Sequence, residues 1–122
     1  MKKILIIDDS SFQRKIVTSI LREAGYEVIT AGDGREGLAL AKSEAPDMVI
    51  SDLLMPEFDG FYLLKEAGTC RLPFPILIQT SDVQDSTREK CIGLGAAGLV
   101  NKPVKKEILL PAIEKILAGG RL

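Results

Sequence analysis

Asp8-Asp9, Asp52, Thr80 and Lys102 each follow a short apolar run: Ile4-Leu5-Ile6-Ile7, Met48-Val49-Ile50-Ser51, Ile76-Leu77-Ile78 and Leu99-Val100. Together they are the side-chain types that handle a phosphoryl group. Three carboxylates gathered within a few ångströms repel one another and raise one another's pKa unless a cation is present. Magnesium answers that need: it takes oxygen ligands, keeps several waters, and binds through one or two carboxylates plus a phosphate oxygen. Held by Asp8, Asp9 and Asp52, it would also neutralise charge developing on a transferring phosphoryl group. A strand-end carboxylate is itself a nucleophile that can form an acyl phosphate. Asp52 takes that role in this reading, because it stands alone after the middle run, whereas adjacent Asp8 and Asp9 point in different directions and are better placed to hold metal. Thr80 would donate its hydroxyl proton to a phosphoryl oxygen, and Lys102 would pair with another as a compact cation. Phosphoryl transfer asks mainly for positioning and charge neutralisation, so the set needs no dedicated general base.

Taken singly, each residue has an ordinary explanation. Acids after a strand cap helices or sit in solvent, Thr80 before Ser81-Asp82 opens a helix cap, and Lys102 before Pro103 is a surface lysine. The reading rests on their joint occurrence at successive strand ends. In an open parallel α/β sheet, ligands bind outside the carboxyl ends of the strands, so these side chains should converge on one edge.

The elements that must position them follow from the pattern. Short apolar runs read as strands buried on both faces. After the first, Ser10 or Ser11 caps a helix with apolar positions Phe12, Ile16, Val17, Ile20, Leu21 and Ala24, stopped by Gly25. Tyr26 to Ala31 is the second strand, and Gly32-Asp33-Gly34 turns into a short helix over Glu36 to Ser43, closed by Pro46. The third strand, Asp47 to Ser51, delivers Asp52 into a loop marked by Pro56 and Gly60. The helix that restarts near Phe61 should be short, because Gly68 and the Thr69 to Pro75 segment are poor helix formers. A fourth helix runs from about Asp85 to Leu94. The last spans Lys105 to Ala118, with Pro111 expected to kink it or delay its start, and Gly119 to Leu122 are expected to fray. This β-α alternation argues for one doubly wound, five-stranded parallel sheet with right-handed crossovers.

Composition narrows the function. The 122 residues suit a single domain with a real core, spanning 1–122 with no separate output domain. Sixteen basic residues against 17 acidic give a formal net charge of −1, which offers no electrostatic case for nucleic-acid or membrane binding. The absence of His excludes a histidine triad or a histidine zinc site. Cys70 and Cys91, in a chain with no signal-like apolar segment, are expected to be reduced thiols of a cytoplasmic protein.

Ile6-Ile7-Asp8-Asp9-Ser10, Ser51-Asp52-Leu53-Leu54-Met55-Pro56 with Asp59-Gly60, Thr80-Ser81, Gly95-Ala96 and Lys102-Pro103 make the chain resemble, over essentially its whole length, a response-regulator receiver domain. It is similar to stand-alone chemotaxis receivers of the CheY type. The resemblance implies the flavodoxin-like strand order 2-1-3-4-5. It also implies that Asp52 accepts phosphate from the phosphohistidine of a sensor histidine kinase or phosphotransfer protein. Asp9 would bind Mg2+ directly, Asp8 largely through water, and the Leu54 carbonyl would be a further ligand. Thr80 and Lys102 would read the phosphoryl group, and the Lys102-Pro103 bond would be cis. The downstream target would be another protein of unknown identity. Leu99 departs from the family's usual Tyr or Phe three residues before the lysine, which implies a rearranged or weaker coupling to the output face.

The leading function is therefore a phosphorylation-driven signalling switch, and not an enzyme beyond its own phosphotransfer and dephosphorylation. An aspartyl-phosphate phosphohydrolase is the alternative, disfavoured because Leu54, not an acid-base Asp, stands two residues after the nucleophile and no length remains for a cap domain. A nucleotide or flavin binder lacks its glycine-rich cradle in Asp8-Asp9-Ser10-Ser11. A phosphorylation-independent scaffold is the remaining alternative. The chain is expected to be a monomer. A weak homodimer through the last helix is allowed by the spread of Leu109, Leu110, Ile113, Ile116 and Leu117 around it.

Overall fold

The apolar runs become strands. The computed structural model describes residues 1–122 as strictly alternating elements: β1 (Lys3–Ile7), α1 (Ser11–Glu23), β2 (Glu27–Ala31), α2 (Gly34–Glu44), β3 (Met48–Asp52), α3 (Gly60–Thr69), β4 (Ile76–Thr80), α4 (Asp85–Gly93), β5 (Gly98–Asn101) and α5 (Lys106–Leu117). All neighbouring strands pair in parallel, in the order β2-β1-β3-β4-β5.

Successive strand residues point to opposite faces, so each central strand must be apolar throughout. Leu5, Ile7, Val49, Ile76 and Ile78 pack on one face with Leu38, Leu63 and Leu64. Ile4, Ile6, Met48, Ile50 and Leu77 pack on the other with Val17, Leu21, Leu109 and Ile113. The sheet is thereby held rigidly between α2, α3 and α4 on one side and α1 and α5 on the other. No helix is long and apolar enough to cross a membrane.

Several expected boundaries shift for local reasons. Helix α2 starts two residues early because Asp33 caps it, accepting from Glu36 N at 2.8 Å. Helix α3 is not cut short: it runs ten residues, through Gly68, because Asp59 caps it and Leu63, Leu64 and Ala67 are buried. Pro111 lies inside α5 on its exposed side without delaying the start, and having no N–H it cannot donate to the Glu107 carbonyl one turn earlier. Phe12, assigned to the apolar stripe of α1, is 69% exposed. The terminal residues are tied down: Leu122 N donates to Ala97 O at 3.0 Å, and the Leu122 side chain covers Gly98 so closely that a Cβ there would meet it at 2.6 Å.

Candidate functional site

The carboxyl ends of β1, β3, β4 and β5 bring the expected residues to one edge. Asp8 and Asp9 directly follow β1, Asp52 and Thr80 are the last residues of β3 and β4, and Lys102 directly follows β5. Each strand delivers its polar side chains at its end, two carboxylates from β1, one from β3, a hydroxyl from β4 and a cation from β5, because the turn residues come immediately after. Ser10 caps α1 through its hydroxyl, accepting from Gln13 N at 3.2 Å, while its own N–H donates to Asp8 Oδ1 at 2.9 Å. Arg14, one turn into α1, donates to the Asp8 carbonyl. These bonds fix the backbone at the first acidic pair.

At β3 the chain doubles back tightly. Gly60 N donates to Leu53 O at 2.9 Å, and a Cβ on Gly60 would lie 2.9 Å from Asp52 O and 2.9 Å from Leu53 Cα. Only glycine lets α3 start against the strand end that carries Asp52. Leu54, two residues beyond β3, turns its side chain out, 61% exposed.

Asp8, Asp9 and Asp52 each offer a carboxylate oxygen within 4.8 Å of the others. Asp8 is fully buried and Asp52 nearly so, while Asp9 is exposed, which leaves one open side. A cluster of hard oxygen donors with one solvent-facing member fits a hydrated divalent ion, which fills its remaining positions with water. Lys102 Nζ lies 2.9 Å from Asp52 Oδ2 and 3.3 Å from Asp8 Oδ2. Burial pushes the Asp52 carboxyl above its ordinary value, Lys102 pulls it back by hydrogen bond and charge, and Asp8 and Asp9 push it up again. For Lys102, burial acts to lower the pKa, but the hydrogen bond and charge of Asp52, followed by Asp8, prevail and leave it raised. The lysine is therefore a firmly protonated cation between two buried carboxylates.

Thr80 is buried at the same edge, but its hydroxyl bonds locally, accepting from Asp82 N at 3.1 Å. Asp82 in turn accepts from Gln84 N at 2.9 Å and from the Thr87 hydroxyl at 2.7 Å, anchoring the loop to α4 and holding its own carboxyl below the usual range. Thr80 thus stands beside the Asp52–Lys102 pair without bonding it, its proton free. The Lys102-Pro103 bond is cis. Leu99 is half-buried against the α2, α3 and α4 side of the core.

One polar residue of the site was passed over in the sequence. Gln79, next to last in β4, is wholly buried and donates through Nε2 to Asp8 Oδ2 at 3.1 Å. The signal was present: two residues after Leu77 it shares that side chain's inward face, where the pattern calls for an apolar residue.

The response regulator receiver domain family matches residues 4–114. Protein PilH of Pseudomonas aeruginosa is 37% identical over 123 residues, covering 98% of this chain and all of PilH. The alkaline phosphatase synthesis transcriptional regulatory protein PhoP of Bacillus subtilis is 34% identical over 121 residues, but this chain spans only 50% of it. Among solved structures, chemotaxis protein CheY4 of Vibrio cholerae is 37% identical, with a TM-score of 0.90 over 95% of this chain and 98% of that one.

Proposed function

The chain belongs to the response-regulator receiver family of two-component signalling, and we propose that it is a phosphorylation switch with Asp52 as phosphoacceptor. Receiver domains work with histidine kinases or phosphotransfer proteins and with downstream targets, as signalling switches rather than dedicated enzymes, and typically use Mg2+ at an acidic pocket. The observation that carries the reading is the convergence of Asp8, Asp9, Asp52 and Lys102 at one strand edge.

In this reading an Asp52 carboxylate oxygen attacks the phosphorus of a phosphohistidine. The new O–P bond forms as the P–N bond breaks, and the imidazole leaves with the electron pair and takes up a proton. Asp9, Asp8, Asp52 and the Leu54 carbonyl would hold Mg2+, which when bound supplies charge neutralisation for the phosphoryl oxygens. Lys102, already 2.9 Å from the acceptor oxygen, follows the charge from the carboxylate to the phosphoryl group. Thr80 supplies its free hydroxyl proton to another phosphoryl oxygen. That contact is available only in the phosphorylated state, so it biases the β4-α4 loop between two arrangements. The reading includes a cytoplasmic, monomeric receiver over residues 1–122, acting by contact with a partner protein or by passing phosphate onward.

Intact-mass analysis after incubation with acetyl phosphate tests it. One Mg2+-dependent phosphate adduct, absent from Asp52→Asn, is the expected result. A folded wild type that takes up no phosphate with any divalent metal would overturn it.

A further inference from the structure

Gln79 stands out as a buried polar residue that the phosphoryl chemistry leaves unused. Its register places it opposite Asp52 on β3 and Val100 on β5, on the same sheet face as the apolar Leu77. From there its amide reaches across β3, and Nε2 donates to Asp8 Oδ2 at 3.1 Å. The amide cannot be turned over, because that would set its carbonyl oxygen against a carboxylate oxygen. Its Oε1 therefore points away, and it is the one buried side-chain polar atom in the chain with no partner. An apolar residue would avoid that orphan acceptor and match the strand's pattern, and a rule broken at this depth points to a site requirement.

Asp8 Oδ1 is held by Ser10 N, and Asp8 Oδ2 by Gln79 and Lys102. Lys102 is the donor that must move when a phosphoryl group arrives at Asp52. Once it does, Gln79 is the remaining side-chain donor that fixes the Asp8 carboxylate. Building on the phosphoacceptor reading, we propose that Gln79 is a positioning residue for the metal site: it locks the Asp8 carboxylate in the orientation that divalent-ion binding uses, independently of Lys102. It acts on the ion through Asp8, as outer partners of metal ligands do.

The test is a Mg2+ titration followed by amide chemical shifts, without phosphodonor, on wild type, Gln79→Met, Gln79→Leu, Asp8→Asn and the double variant Asp8→Asn with Gln79→Met. Methionine keeps the side chain's length and unbranched shape while removing both amide atoms. We expect Gln79→Met to weaken Mg2+ binding about tenfold without lowering the metal-free melting temperature, since an orphaned acceptor has been removed. In the Asp8→Asn background the same change should alter Mg2+ affinity by less than about twofold, the two residues acting as one unit. Unchanged Mg2+ affinity in both Gln79 variants, or an equal loss with and without Asp8, would overturn the proposal. So would loss of the metal-free fold in both, which would make Gln79 structural. These outcomes are separate from the phosphoacceptor reading: phosphate uptake by the wild type on a residue other than Asp52 would sink that reading while the coupling of Gln79 to Asp8 was still measured directly.

Discussion

Lys102 holds together two carboxylates that would otherwise face each other in the protein interior. It is 20% exposed, against 1% and 10% for the Asp8 and Asp52 side chains. Replacing it by Met leaves both buried charges uncompensated, so Lys102→Met is expected to destabilise the metal-free fold by about 3 kcal/mol, measured by urea unfolding, with part of the loss recovered on adding Mg2+. Asp52 gives the complementary case. Because burial raises its carboxyl above the ordinary 3.8, the folded chain binds that proton more tightly than the unfolded chain does. The stability it contributes is present below that ordinary value and is lost as pH rises through the raised one. Asp52→Asn should therefore melt higher than the wild type near neutral pH without metal, with the gap closing on acidification and narrowing with Mg2+. Equal melting curves across that range would contradict the strained carboxylate. Asp8, Asp9, Asp52 and Lys102 were legible in the sequence because they recur together at successive strand ends, although each alone has an ordinary explanation. Gln79 was hidden by the same habit: an apolar strand was taken to end at its first polar residue, whereas β4 continues two residues further to Thr80.

At the level of elements, the site depends on how abruptly the chain leaves each strand. Gly60→Ala would put a methyl 2.9 Å from Asp52 O. It is expected to cost roughly 1–3 kcal/mol by forced backbone shifts and to slow phosphate uptake at Asp52 more than it lowers stability alone would suggest, which single-turnover phosphorylation can show. The β4-α4 loop rests on Asp82, whose depressed pKa means its contribution is present above the ordinary carboxylate value and is lost as pH falls through the lower one. Asp82→Asn should raise amide hydrogen exchange across the first turn of α4, and unaltered exchange there would refute the anchoring role. Strand positions and the order of elements were legible because two-sided burial leaves short unbroken apolar runs. Helix limits were less so: the Asp33 and Asp59 caps look like turn residues until their hydrogen bonds are known. Pro111 and Gly68 weigh against helix only until tertiary packing outweighs propensity. The terminus was misjudged for a similar reason, since Leu122 gains its order from Ala97 and Gly98, remote in sequence.

For the whole molecule, the order β2-β1-β3-β4-β5 places the Asp52 strand at the centre of the sheet, with the Asp8-Asp9 strand on one side and the Thr80 and Lys102 strands on the other. The double-faced core holds all four strand ends, Thr80 included through Lys102 N donating to its carbonyl at 2.9 Å, while the loop beyond Thr80 is tied through Asp82 to Thr80, Gln84 and Thr87 by short-range bonds. The scatter of apolar residues on α5 is largely explained by its own sheet, which buries Leu109, Ile113 and Ile116 and leaves Ile108 out at 60% exposure. The arrangement makes the identity of the modified carboxylate decisive, since Asp8, Asp9 and Asp52 offer carboxylate oxygens within 4.8 Å of one another. Borohydride reduction of the chain phosphorylated by acetyl phosphate and Mg2+, followed by peptide mapping, converts an acyl-phosphate aspartate into homoserine. Homoserine at position 52 alone is the expected result, and homoserine at position 8 or 9, with Asp52 unmodified, would contradict the assignment of acceptor and metal ligands on which this account stands.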